Sequence, residues 1–163
     1  MSRAFVREDR PDTEPLPDLP VSPHPNLVTT RGLASLESRL AGARDQLAQL
    51  RARPDRLDLM PERAAERDIR YLAARLASAI LTAPPPPVAV GFGHIVDLAG
   101  ADGKRLRFQI VGEDEADAGS GRIAPHAPLA RAMIGLEVGD TFAWRRPGGD
   151  QEMEILAISL PEP

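Results

Sequence analysis

Carboxylates cluster twice in this chain, and they are the first candidates for chemistry. Asp55, Asp58 and Glu62 fall within Pro54-Asp55-Arg56-Leu57-Asp58-Leu59-Met60-Pro61-Glu62, and Glu113-Asp114-Glu115-Ala116-Asp117 is the densest acidic run. Acids so spaced could hold a divalent cation or meet a basic partner, although a solvated turn is the ordinary state of such runs. The histidines, His24, His94 and His126, never fall at the four-residue spacing that sets two imidazoles on one helix face, so no histidine metal site is readable. No cysteine is present, which excludes thiol catalysis, disulfides and Cys-ligated zinc. No serine occupies a Gly-x-Ser-x-Gly elbow, and Gly91-Phe92-Gly93 lacks the rest of a dinucleotide or phosphate loop. The sequence points away from an enzyme and away from a bound cofactor.

The elements that must position these residues follow from composition. The chain has 163 residues with 4% aromatics, enough for one ordinary domain or two small modules but not for a large aromatic core. A net charge of −4 argues against bulk attraction to nucleic acid. No apolar run approaches the ~20 residues needed to cross a bilayer, and Met1-Ser2-Arg3-Ala4-Phe5 opens no secretory signal. A soluble cytoplasmic protein with no membrane partner is expected.

Residues 1–28 hold six prolines among acids and few apolar anchors, and read as a disordered Pro-rich tail. Residues 29–83 are helical in composition. Leu33, Leu36, Leu40, Ala43, Leu47 and Leu50 step by three and four, the seam of a coiled coil, and Ala65, Ile69, Leu72, Leu76 and Ala79 repeat the pattern. Thr29 or Thr30 caps the first arm, Pro54 ends it and Pro61 opens the second. With a tip at 54–61 the arms fold back as an antiparallel hairpin of ~30–35 Å. Since the stripe is satisfied internally, a monomer is expected.

Residues 84–87 are four prolines, a rigid linker. Residues 88–163 alternate apolar and polar residues between glycine turns, which predicts strands over Val88–Leu98, Leu106–Ile110, Val138–Trp144 and Met153–Leu160, with a short helix from Pro128 ended by Gly135. The fold class is therefore α+β: a coiled-coil hairpin followed by a mostly antiparallel sheet with one short helix. Charge divides the same way, with ten Arg against seven acids in 29–83 and seven Lys/Arg against twelve acids in 84–163. A basic rod on an acidic domain suits a rod that enters an anionic cavity while the domain grips a protein.

The order of these parts and several strings resemble the GreA/GreB family of bacterial transcription elongation factors. The strings are Val28-Thr29-Thr30-Arg31-Gly32-Leu33, Asp68-Ile69-Arg70-Tyr71-Leu72, Phe108-Gln109-Ile110-Val111-Gly112 running into the acidic run, Ala127-Pro128-Leu129-Ala130-Arg131-Ala132, and Val138-Gly139-Asp140 with Pro147-Gly148-Gly149. The resemblance implies an FKBP-like sheet domain that docks on RNA polymerase beside its secondary channel, with the hairpin entering the channel. The family's tip acid pair falls at Asp55 and Asp58, with Glu62 nearby; in cleavage-stimulating members such acids help hold a second Mg²⁺ at the polymerase active centre, a shared ion and not a cofactor of the factor. The polymerase-docking surface is implied at Asp114, Glu115, Asp117, His126, Ala127, Pro128 and Arg131. Nascent RNA is a further implied partner of the basic hairpin.

Leu59 and Met60 stand where the family has Asn and then a nearby Tyr, His126-Ala127-Pro128 replaces its Ser-Pro, and both arms look shorter. The C-terminal strings also resemble polymerase-binding regulators of the nucleoside diphosphate kinase regulator type, which have a short hairpin and no cleavage function. The expectation is a factor that modulates elongation or initiation without strong transcript-cleavage stimulation. Three other readings stand beside it: a true cleavage factor using the tip carboxylates, a peptidyl-prolyl isomerase built on Phe92, Phe108, Phe142 and Trp144, and a coiled-coil adaptor.

Overall fold

The computed structural model describes residues 14–162. Helix α1 (Thr30–Arg51) begins where the Thr29 hydroxyl accepts the Gly32 N–H at 2.9 Å. It ends just before Arg53-Pro54, because a residue preceding proline is pushed out of the helical region. Helix α2 (Met60–Ala77) carries proline in its first turn, where no amide donor is missed. Leu36, Leu40 and Leu72 are buried between the arms, with Leu33, Ala43, Ile69, Leu76 and Ala79 packed around them. At about 1.5 Å per residue, the 22 residues of α1 make a rod of about 33 Å.

The base of the hairpin differs from expectation. Leu27–Val28 (β1) pairs in parallel with Ile80–Leu81 (β2), so the residues entering α1 are tied to those leaving α2. The chain ahead of β1 is also placed. Arg70 donates to Asp18 Oδ1 at 2.6 Å and to the Leu16 carbonyl at 2.7 Å, and buried Asn26 donates to the Arg75 carbonyl at 2.7 Å. The disordered tail expected over 1–28 is therefore corrected for 14–28, while residues 1–13 lie outside the described residues. Few apolar residues did not mean no anchors: the prolines keep this stretch extended, and single polar groups spaced along it find partners.

The second module is a five-stranded sheet in the order β5-β4-β3-β7-β6, built from β3 (Ile95–Gly100), β4 (Arg105–Ile110), β5 (Arg122–Ile123), β6 (Thr141–Trp144) and β7 (Gln151–Ser159). Only β4 and β5 run parallel. Short helix α3 (Pro128–Met133) packs on one face, and its Ala130 and Met133 join Val96, Leu98, Ile110, Met153 and Ile155 of the sheet module in the core. The β3–β7 register pairs Val96 with Ile158 but Leu98 with Ile155, so Leu156 is bulged out. Ile155 and Ile158 are three apart and would otherwise face opposite sides; the bulge returns both to the core. The sheet curls until Phe108 on β4 and Trp144 on β6 meet edge to face at 6.1 Å, across strands that a flat sheet would hold about 14 Å apart.

The expected strand over Val88–Leu98 is shorter than the alternation suggested, because Gly93 at φ +86 turns the chain and β3 starts only at Ile95. That turn serves the prolines. Fully buried His94 donates from Nε2 to the Pro85 carbonyl at 2.7 Å and accepts the Gly91 N–H on Nδ1 at 3.0 Å. A Cβ on Gly93 would stand 2.9 Å from Pro84 Cβ. Residues 84–87 are thus pinned to the sheet module instead of bridging freely to it. The strand expected from Val138 starts at Thr141, after a turn in which Gly139 adopts φ +93. No helix among the described residues is long and apolar enough to cross a membrane.

Candidate functional site

Two places gather the candidate residues: the junction between hairpin and sheet, and the hairpin tip. At the junction Arg75, in the last turn of α2, is 1% exposed and donates to three groups. Its Nε meets Asp114 Oδ2 at 2.5 Å, and its Nη2 meets Asn26 Oδ1 at 2.7 Å and Glu113 Oε2 at 3.1 Å. The Tyr71 hydroxyl donates to the other oxygen of Asp114 at 2.7 Å. Burial, and then the hydrogen bond and charge of Asp114, push the Tyr71 phenol above its ordinary pKa. Glu115 accepts the Thr29 hydroxyl at 2.6 Å, so the residue that caps α1 is itself held by the sheet module.

Small residues let the two modules approach. A Cβ on Gly112 would lie 2.5 Å from the Leu27 carbonyl oxygen, and one on Gly32 would lie 2.7 Å from Glu115 Oε2. The Gly112 approach, to a backbone atom, is open only to glycine, whereas at Gly32 the Glu115 carboxylate would have to swing aside.

This geometry divides the expected docking residues. Asp114 and Glu115 face the hairpin: the acidic run opens as a 3₁₀ turn (Glu113–Glu115) that turns these carboxylates toward Arg75 and Thr29. Asp117 is exposed, with the Ser120, Gly119 and Arg122 donors holding its carboxyl below the usual range. His126, Ala127, Pro128 and Arg131 lie together at the start of α3. The His126 ring stacks on His24 with centroids 4.4 Å apart, and its Nδ1 sits 3.2 Å from Glu113 Oε1. His126 and Arg131 border a groove of about 370 Å³ between α3 and the chain ahead of β1, with His24, Pro25 and Pro125.

At the tip the three acids have different fates. Asp55 Oδ1 accepts the Leu57 N–H at 3.0 Å and Asp58 Oδ1 accepts the Met60 N–H at 2.9 Å, two Asx turns that shape the loop and leave the second oxygen of each outward. Glu62 is buried and gripped by both arms of the Arg56 guanidinium at 3.0 and 2.6 Å. That hydrogen bonding holds its carboxyl below the ordinary value, against the opposing effect of burial. Glu62 therefore stands inside the loop and not beside the other acids. Between Asp55 and Asp58 the Leu57 side chain is 94% exposed. No three of His, Cys, Asp and Glu converge as metal ligands among the described residues.

Sequence reasoning missed the junction. Arg75 carried no signal, since an arginine late in a helix reads as a solvated cation; Tyr71 lay in a quoted string without an assigned role. Asn26, Ser22 and Thr29 matter through partners that are far away in sequence.

Comparison with known proteins places this arrangement. The family model for the transcription elongation factor GreA/GreB C-terminal region matches residues 85–160. GreA of Pseudomonas aeruginosa is 36% identical over 150 residues, which cover 80% of this chain and 95% of that protein. The chain belongs to the GreA/GreB family. GreB of Xanthomonas axonopodis pv. citri is 34% identical over 155 residues, covering 81% of this chain and 89% of that one. The match to GreA of Thioalkalivibrio sulfidiphilus is tighter, 49% identical over 70 residues, but spans only 42% of this chain and 44% of that relative. Among solved structures the GreA factor homolog Gfh1 of Thermus thermophilus overlaps 83% of this chain and 99% of its own, at 25% identity and a TM-score of 0.41. In this chain an α-helical hairpin precedes a mostly antiparallel sheet domain.

Proposed function

We propose that the protein binds RNA polymerase at the rim of the secondary channel through its sheet module, and that its hairpin enters the channel to modulate elongation or initiation without strongly stimulating transcript cleavage. The observation that carries this reading is the clamp at Arg75, which makes the sheet module and the hairpin one lever: a grip on the rim fixes where the tip points. The limited cleavage follows from the tip. Asp55 and Asp58 could each offer one free oxygen to a Mg²⁺ held mainly by the polymerase, while Glu62 is occupied by Arg56. The exposed Leu57 between them makes the tip apolar at its outermost point, better suited to obstructing a channel than to orienting water. Any reaction would take place in the polymerase, with this chain as a positioning element. The basic outer faces of the arms would lie near nascent RNA, and the monomer and cytoplasmic location expected from sequence belong to the same reading.

The other readings have less behind them. The rings of Phe92, Phe108, Phe142 and Trp144 pack against the core, and the groove beside Phe108 is bordered by Arg31, Arg107 and Arg122, not by the aromatic walls that a proline-binding pocket needs. The leucine stripe is filled by the partner arm, which leaves an adaptor helix little to bind. The test is co-elution with core polymerase followed by transcript analysis of a stalled complex. Co-elution with altered pausing and little shortening is expected. Failure to co-elute overturns the reading, and shortened transcripts that vanish in Asp55→Ala/Asp58→Ala overturn its second half.

A further inference from the structure

The chain ahead of β1 enters the lever described above only through Asn26, yet it is held at four successive points. Asp18 and Leu16 bind Arg70 halfway along α2, Ser22 donates to Glu113 Oε1 at 2.6 Å, His24 stacks on His126, and Asn26 joins Arg75 to Ser78. It is a strap that runs down the hairpin and ends against the start of α3. There it supplies His24 and Pro25 as one wall of the groove whose other wall is Pro125, His126 and Arg131.

The charge of this groove can be worked out. Its one carboxylate, Glu113, is fully engaged: Oε1 takes Ser22 and His126, and Oε2 takes Arg75. Arg131 is exposed on α3 and has no carboxylate partner among the described residues. The groove is thus apolar along its prolines and imidazole faces and cationic at one end. Its complement is an acidic side chain next to an apolar one.

We infer that residues 16–26 complete the docking face: the strap and α3 together form a composite groove that receives an acidic, partly apolar segment of RNA polymerase, with Arg131 taking the carboxylate and His24 the apolar neighbour. This rests on the polymerase reading above and extends it to a part of the chain that the hairpin and sheet do not include. Proline-fixed backbone suits the task, because a wall already extended loses little freedom when a partner settles against it.

The experiment measures the affinity of full-length chain for core RNA polymerase by titration at two salt concentrations, with His24→Ala, His24→Phe, Arg131→Gln and the His24→Ala/Arg131→Gln double variant. His24→Ala and Arg131→Gln should each weaken binding about fivefold or more, as expected for one lost contact of about 1 kcal/mol. The double variant should lose less than the product of the two, since both act in one groove. His24→Phe, which keeps a flat ring on His126, should bind nearly as the parent does, and Arg131→Gln should flatten the salt dependence. Thermal melting must be unchanged in His24→Ala, whose side chain sits at the surface. Parent-like affinity of His24→Ala overturns the composite groove and leaves the polymerase reading intact; tighter binding overturns it too, by making the strap a cover. No binding by the parent chain overturns the polymerase reading itself, and the groove with it.

Discussion

Arg75 and Asp114 meet across the junction of hairpin and sheet, Nε to Oδ2, with the guanidinium 1% and the carboxylate 9% exposed. An ion pair so sheltered from water adds little net energy when it forms but is costly to leave half made. Here Asn26 and Glu113 take further donors of Arg75 and Tyr71 donates to the second oxygen of Asp114, so the pair works as a fixed corner.

Removing one side of that corner gives the first prediction. Arg75→Met strands Asp114 and Glu113 without a counter-charge, and should lower stability in urea unfolding by about 3–5 kcal/mol. Adding Asp114→Asn to Arg75→Met should recover part of the loss. A drop below 1 kcal/mol for Arg75→Met alone would mean that water reaches the corner.

Two glycines should answer oppositely to the same change. Gly112→Ala puts a methyl carbon 2.5 Å from a backbone oxygen of β1, and should cost about 1–3 kcal/mol because the strand cannot retreat without leaving β2. Gly42→Ala, in mid-α1 with nothing within 4 Å, should instead raise stability by about 0.5–1 kcal/mol through helix propensity. Melting curves of both variants give the comparison.

Tyr71 is the chain's one tyrosine, so tyrosinate absorbance reports it alone. Its folded pKa is raised, so the stability it confers is fully present below the ordinary value of 10.0 and is lost as pH rises through the folded value. Absorbance near 295 nm should therefore rise at higher pH than in the unfolded chain, and Asp114→Asn should move the rise down toward the ordinary value.

Glu62 gives the reverse case. Its folded pKa is depressed by Arg56, so its contribution is present above the ordinary carboxylate value of 4.5 and is lost as pH falls through the folded value. Glu62→Gln should remove part of the acid-limb slope of thermal stability and loosen the tip to proteolysis, with little change in melting slope between pH 6 and 8. An unchanged acid limb would show that the Arg56 pair adds nothing.

Sequence and structure agree most where periodicity is strong. The stripe from Leu33 to Leu50 is legible because a helix repeats its environment every three or four residues, and Leu36 and Leu40 duly sit between the arms. The alternation before β3 misled for the same reason: Val90, Phe92 and His94 alternate, but Gly93 at φ +86 breaks the extension, and His94 is buried to hold a proline carbonyl. At the candidate site, Asp55 and Asp58 were legible as loop acids. The inward turn of Asp114 and Glu115 was not, because it depends on Arg75 and Thr29, residues whose types do not announce a distant partner. The Leu156 bulge was likewise hidden, since one extra residue leaves no mark on hydrophobicity.

The long sequence separations in the clamp bear on synthesis. The arms of the hairpin are near neighbours along the chain and can zip as soon as α2 leaves the ribosome, but the Thr29 hydroxyl waits for a partner 86 residues later and Arg75 for one 39 residues later. A newly made rod is therefore unaimed until the acidic turn emerges, and a nascent chain halted before Glu113 carries a finished lever with no fulcrum.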